Sequence, residues 1–262
     1  MGFLQLADGD LHYQLEGPEG APVLVLSNSL GTNLQMWDTQ MPTFIKYFRV
    51  LRYDTRGHGR SLVTPGPYSI RQLAIDVLTL LDGLSIPQAH FCGISMGGLI
   101  GQWLGIHANE RLRKLVLCNT AAKIGGPQMW ESRIATIQRD GGSAMAALRD
   151  ESVARWFTPG FEDAYPEKVT PITDMLAASS PEGYVACCAA VRDADFSDQL
   201  GSISAPTLVI SGILDPVTPP AGGRFLNEHI PYSLLEEVHA AHLSNIEAGD
   251  VFTSHVREFL LG

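Results

Sequence analysis

The sequence predicts an α/β fold: a mostly parallel central sheet flanked by helices and interrupted by one helical insertion. Three observations predict it. Short continuous apolar runs such as Val23-Leu24-Val25-Leu26 and Leu115-Val116-Leu117-Cys118 recur between helix-compatible stretches, as strands buried on both faces require. The stretch Gly93-Ile94-Ser95-Met96-Gly97-Gly98 joins one such run to a helical pattern through a turn too tight for flanking side chains. From residue 121 to about 195 the apolar runs stop, and helix-compatible segments broken by Gly and Pro take their place.

In chain order, Phe3 to Leu6 and Leu11 to Leu15 flank Ala7-Asp8-Gly9-Asp10, a hairpin signal. The run from Val23 follows, bounded by Pro22 and by Ser27-Asn28. Residues 37–48 read as a helix and Val50-Leu51-Arg52-Tyr53 as a strand. Ser69-Ile70-Arg71-Gln72 has the form of a capping box, opening a helix with Leu73, Val77, Leu80, Leu81 and Leu84 on one face. Ala89-His90-Phe91-Cys92 and the run from Leu115 are the next strands. After the insertion the sheet resumes at Thr207-Leu208-Val209-Ile210-Ser211 and at Ser233 to Val238, and a final helix carries Phe252, Val256, Phe259 and Leu260.

A formal net charge of -10 argues against nucleic acid and against an anionic membrane surface as partners. It also means that an anionic substrate would need a local cation to offset the global field. No signal peptide and no stretch of membrane-spanning length is visible, and the cytoplasm is the expected compartment. Cys92, Cys118, Cys187 and Cys188 sit in apolar surroundings without metal spacing, so they read as buried free thiols. No Walker, H-E-x-x-H or EF-hand pattern is present, and neither a metal nor a cofactor is expected.

The chemistry centres on Gly93-x-Ser95-x-Gly97, the pattern that pushes a serine oxygen into the open between a strand and a helix N-terminus. A serine hydroxyl is a weak nucleophile until a base takes its proton and a carboxylate holds that base. Behind an elbow of this kind the acid and then the histidine follow in the chain. Asp215 comes just after the strand from Thr207, and His242 lies in the loop after the strand from Ser233. Asp195 and Asp198 are rival acids and His239 a rival base; Asp215 also fits a simple turn before Pro216. An oxyanion hole needs two backbone amides, and Met96 and Leu30 stand at the right places. The loop holding Leu30 starts Asn28-Ser29 rather than the common His-Gly, a change a backbone donor survives. Asp54-Thr55-Arg56-Gly57-His58-Gly59 is read as structural, with Asp54 and Arg56 paired to each other or to backbone.

The elbow, the loop from Asp54 and the late aspartate and histidine together resemble the α/β-hydrolase superfamily over essentially the whole chain. The strings Ser27-Asn28-Ser29-Leu30-Gly31-Thr32, Cys187-Cys188-Ala189-Ala190-Val191-Arg192-Asp193 and Ala240-Ala241-His242-Leu243-Ser244-Asn245-Ile246-Glu247 are similar to the 3-oxoadipate enol-lactonases of bacterial protocatechuate and catechol breakdown. The resemblance implies the α/β-hydrolase fold, with residues 1–120 and 196–262 as core and residues 121–195 as a helical cap. It implies catalytic Ser95, Asp215 and His242, and an acyl-enzyme formed from a small lactone that carries a carboxylate. A cap cation should meet that carboxylate, with Arg133 the first candidate and Arg192 the second, and Trp130 should supply an apolar wall. A carboxylesterase or carbon–carbon bond hydrolase of the same fold, and a ligand receptor on a hydrolase scaffold, remain as alternatives. The oligomeric state is not legible in the sequence.

Overall fold

The computed structural model describes all residues, 1–262. Eight strands form one sheet: β1 (Gly2–Leu6), β2 (Gly9–Glu16), β3 (Val23–Ser27), β4 (Arg49–Tyr53), β5 (Ala89–Ile94), β6 (Leu112–Cys118), β7 (Thr207–Gly212) and β8 (Ser233–Val238). Their spatial order is β1-β2-β4-β3-β5-β6-β7-β8. The β1–β2 and β2–β4 pairs are antiparallel, and every pair from β4 to β8 is parallel. β5 and β7 are buried at every position, which is why their sequences are mostly apolar and do not alternate with exposed polar residues.

The helices are α1 (Met41–Phe44), α2 (Ile70–Gly83), α3 (Met96–His107), α4 (Pro127–Asp140), α5 (Gly142–Trp156), α6 (Phe161–Ala164), α7 (Pro166–Ala177), α8 (Pro181–Asp193), α9 (Pro220–His229), α10 (Ser244–Glu247) and α11 (Gly249–Leu261). Helices α4 to α8 all fall between β6 and β7. At the start of α2, Ser69 accepts a hydrogen bond from the Gln72 N–H at 3.1 Å, satisfying a first-turn donor that has no intrahelical partner. None of these helices is long and apolar enough to cross a membrane.

Two local expectations are corrected, and a third, backbone or mutual pairing of Asp54 and Arg56, holds only for the backbone bonds of Asp54. Residues 37–48 do not form one helix but a single 3-10 turn, Leu34–Trp37, and the four residues of α1. Pro42 lacks the N–H that a helix running through Trp37 would need, and its ring would press on the Asp38 carbonyl. Conversely, Pro171 does not break a helix; it lies inside α7. Asp54 and Arg56 do not pair with each other. Asp54 binds the His12 ring at 2.8 Å and accepts the N–H groups of Leu34 and Arg60. Arg56 pairs with Asp76 at 2.8 Å and with Asp8. These partners lie far away in sequence, and they fix the loop between β4 and α2 against the antiparallel edge of the sheet.

Candidate active site

β5 passes into α3 through Ser95, whose backbone sits at φ 57° and ψ -113°, a positive φ that side chains avoid unless the surroundings enforce it. A Cβ on Gly93 would lie 2.2 Å from the Gly97 carbonyl oxygen, and one on Gly97 would lie 2.3 Å from that of Ser27. Both obstacles are backbone and cannot step aside, so the turn requires glycine at each. The Ser95 N–H donates to the Cys118 carbonyl at 3.0 Å, and the Thr120 hydroxyl donates to the Ser95 carbonyl at 2.9 Å. The strained residue is thus held from β6.

Asp215 and His242 come from the loops after β7 and β8 and meet each other, and His242 lines the same cavity as Ser95. His242 Nδ1 binds Asp215 Oδ2 at 2.8 Å, which leaves Nε2 as the nitrogen free to act as a base. The second carboxylate oxygen accepts the N–H groups of Val217 and Thr218 at 2.8 and 3.0 Å. Oδ2 also receives the Thr218 hydroxyl at 2.6 Å and the Asn119 amide at 3.0 Å. Burial works to raise the Asp215 carboxyl, but the charge and hydrogen bond of His242, with those of Thr218 and Asn119, outweigh it and hold it at about 2. Asp215 therefore stays ionised across the working range. Among the rivals, Asp195 binds Lys123 at the surface, Asp198 is exposed, and His239 is an exposed residue just past β8.

Two amides border the serine. That of Met96 opens α3 and has no intrahelical carbonyl to reach. The Ser29 carbonyl accepts both the N–H and the hydroxyl of Thr32, at 3.2 and 2.8 Å. In a trans peptide the N–H points opposite its carbonyl, so the Leu30 N–H is turned away from Thr32, and it has no acceptor within the protein. The Gly97 N–H donates to the Asn28 carbonyl at 3.1 Å, joining this loop to the elbow. The Asn28 side chain donates to the Tyr53 carbonyl and accepts the Trp37 indole N–H, at 2.7 and 2.9 Å.

Leu30, Ser95 and His242 form the floor of a narrow cavity of about 40 Å³, and the inserted helices supply its far wall with Trp130, Arg133, Arg155, Trp156 and Tyr184. No carboxylate lines it. Arg133 stands over the Trp130 ring, 5.0 Å from its centre. Arg155 donates to the Ser152 hydroxyl at 3.0 Å. Burial, and then the neighbouring charge of Arg133, push the Arg155 guanidinium below its ordinary value. An anion between the two would relieve both effects. Sequence reasoning did not find Arg155, because nothing in its helical neighbourhood marks it, and Tyr184 was missed for the same reason; Asn119 and Thr218 lie in loops, and their bonds to Asp215 arise only when those loops meet.

Arg192 is elsewhere. It pairs with adjacent Asp193 at 2.7 Å and lines a separate groove of about 870 Å³ that none of Ser95, Asp215 or His242 touches. Helical geometry explains the difference. Tyr184 and Val191 lie on the stripe of α8 that faces Ser95, whereas Val185, Ala189 and Arg192 lie on the next stripe and face the groove. Arg192 is therefore out of reach of a carboxylate bound in the Ser95 cavity.

A serine held open at a strained turn, a His–Asp pair and two free amides form the set that acyl transfer demands. Comparison with known proteins agrees in kind. Residues 22–249 match the family described as alpha/beta hydrolase fold. The chain is 49% identical to 3-oxoadipate enol-lactonase 2 of Acinetobacter baylyi, over 97% of this chain and 94% of that protein. It is 41% identical to 3-oxoadipate enol-lactonase 1 of the same organism, over 92% and 90%. The crystal structure of the enol-lactonase from Burkholderia xenovorans LB400 superposes with a TM-score of 0.97 at 43% identity, covering 100% of both chains. The chain belongs to the α/β-hydrolase family, in the group that holds the 3-oxoadipate enol-lactonases.

Proposed function

We propose that this protein opens 3-oxoadipate enol-lactone to 3-oxoadipate through an acyl-enzyme on Ser95, as a step in bacterial aromatic catabolism. The observation that carries the reading is the cavity itself: a nucleophilic serine faces two guanidiniums and no carboxylate inside a protein of net charge -10. Such a pocket favours a small acyl substrate with an anionic tail over a neutral ester. The enol-lactonase group to which the chain belongs acts on a lactone of this kind.

In this mechanism the Ser95 oxygen attacks the ring carbonyl carbon while His242 takes its proton, and Asp215 stabilises the imidazolium. The oxyanion is met by the N–H groups of Leu30 and Met96. The ring C–O bond then breaks, His242 returns the proton to the leaving enol oxygen, and the enol becomes a ketone. A water deprotonated by His242 attacks the ester carbon, and Ser95 leaves with the proton restored to it. Residues 121–195 serve as a cap whose Arg133 and Arg155 hold the substrate carboxylate and whose Trp130 walls the ring. The four free, buried cysteines fit a reducing cytoplasmic setting.

The test is direct lactone hydrolysis by wild type, Ser95→Ala and Arg133→Ala. Ser95→Ala should abolish turnover. Arg133→Ala should raise KM for the carboxylated lactone about 10- to 100-fold, as expected for loss of a charge-assisted contact, and leave a neutral aryl ester unaffected. Equal losses on both substrates would remove the carboxylate role. Turnover of the ester without the lactone would make the protein a carboxylesterase.

A further inference from the structure

We propose that His58, in the loop between β4 and α2, is a positioning residue that fixes the oxyanion-binding loop through the Gly31 amide. The proposal rests on the acyl-transfer reading above, and it assigns a task to a residue with no place in the Ser–His–Asp set. His58 Nε2 lies 2.9 Å from the Gly31 nitrogen and accepts its N–H. That contact requires Nε2 to be unprotonated, so the ring proton resides on Nδ1, 3.4 Å from the Arg56 carbonyl oxygen. The ring is buried. The Leu30 amide is therefore held from two sides: Thr32 grips its own peptide, through the Ser29 carbonyl, and His58 grips the following peptide, through the Gly31 N–H. With its own peptide plane and the next one both held, the Leu30 N–H has a fixed direction, and Leu30 lines the same cavity as Ser95.

His58 also faces the inserted helices. Cys187 of α8 places its sulfur 3.9 Å from His58 Nδ1 and 3.4 Å from the Arg56 carbonyl oxygen, and α8 is the helix that sends Tyr184 into the cavity. One imidazole thus sits where the oxyanion loop, the β4–α2 loop and α8 meet. A purely space-filling side chain there would leave the Gly31 N–H without its acceptor in a buried setting, and the loop would rotate to find another.

The experiment compares wild type, His58→Leu and His58→Gln on a neutral aryl ester, with affinity for a simple arylboronic acid measured alongside, because its tetrahedral adduct loads the oxyanion site. His58→Leu should lower kcat about 10- to 100-fold with KM within about twofold, less than the roughly 100- to 1000-fold cost of losing an oxyanion donor outright, because the Leu30 amide is misaligned and not removed. It should weaken the boronate by a similar factor. His58→Gln, whose amide oxygen reaches about as far as Nε2, should recover most of both. Should His58→Leu not accumulate as folded protein, His58→Asn puts the same question, since its shorter amide cannot reach Gly31 and the same losses are expected. Wild-type kcat and boronate affinity in either variant, or a kcat loss with boronate affinity intact, would overturn the proposal. A wild type that cleaves the ester but not the lactone would leave the role of His58 standing and remove only the substrate.

Discussion

Asn119 offers the sharpest quantitative test of how the site is held together. It is the residue after β6, at a positive φ of 42°, and its one amide serves three elements. Nδ2 donates to Asp215 Oδ2 at 3.0 Å and to the Ala241 carbonyl at 3.1 Å, while Oδ1 accepts the Ser244 hydroxyl at 2.5 Å. Asn119→Gly removes all three bonds and tolerates the backbone conformation. The bond to the carboxylate contributes about 1.5–3 kcal/mol and the neutral ones about 1 kcal/mol each. A total near 4–5 kcal/mol follows. With an unfolding entropy of about 2 cal/mol/K per residue over 262 residues, each kcal/mol lowers Tm by roughly 2 °C, so a fall of about 8–10 °C is expected. Asn119→Ala should fall about 1–2 kcal/mol further, because alanine also resists the left-handed backbone. Asp215 keeps its donors from Val217, Thr218 and His242, so kcat should drop only about tenfold with KM unchanged. Thermal unfolding followed by circular dichroism, with ester kinetics on the same samples, measures both. A Tm within about 2 °C of wild type for Asn119→Gly would refute the reasoning.

Two further outcomes are expected. Burial holds the His58 ring down at about 4 against an ordinary value of 6.5, despite the opposing influence of the Arg56 carbonyl and the Asp54 charge. Between those pH values the unfolded chain binds the proton and the folded one does not, so stability falls as pH drops through the interval, with roughly 3 kcal/mol from this ring; buried His90, also held at about 4, acts in the same direction, so denaturant titrations at pH 7 and pH 4.5 should show a loss that His58→Gln reduces by its own share without removing it. Arg192→Ala should leave KM for a carboxylated lactone within about twofold of wild type, since its guanidinium faces the outer groove, and a KM rise matching that of Arg133→Ala would contradict the placement.

The parts of this fold that were legible in the sequence are those dictated by local pattern. Parallel strands appear as apolar runs because both faces are buried, and the elbow appears because Gly93 answers a backbone collision with Gly97 inside the motif, even though Gly97 answers one with distant Ser27. Asp215 and His242 could be singled out by their position after strands, and the structure does bring them together beside Ser95. What the sequence hid is whatever depends on chain segments meeting across distance. Asp54 finds His12 and Arg56 finds Asp8 and Asp76, pairings no local rule assigns. Arg155 gains its place from the packing of α5 over the cavity. Arg192 lost its place because a single step along α8 turns a side chain by about 100° and carries it to another face.

The inserted helices do not all sit on the core in the same way. At the start of α8, a Cβ on Gly183 would lie 2.2 Å from the Gly57 carbonyl oxygen, so two bare backbones touch there with no side chain between them. The Tyr68 N–H donates to the Ala186 carbonyl one turn further on, at 3.1 Å. A joint of this kind has no rotamers to yield, and it transmits displacement instead of absorbing it. The turn between α4 and α5 is the opposite case, since a Cβ on Gly141 or Gly142 would meet nothing within 4 Å. Direct backbone contact with the core is therefore confined to the α8 side of the cavity. Tyr184 stands on that side, while Trp130 and Arg133 stand on α4, which packs against α8 and leads to the open turn.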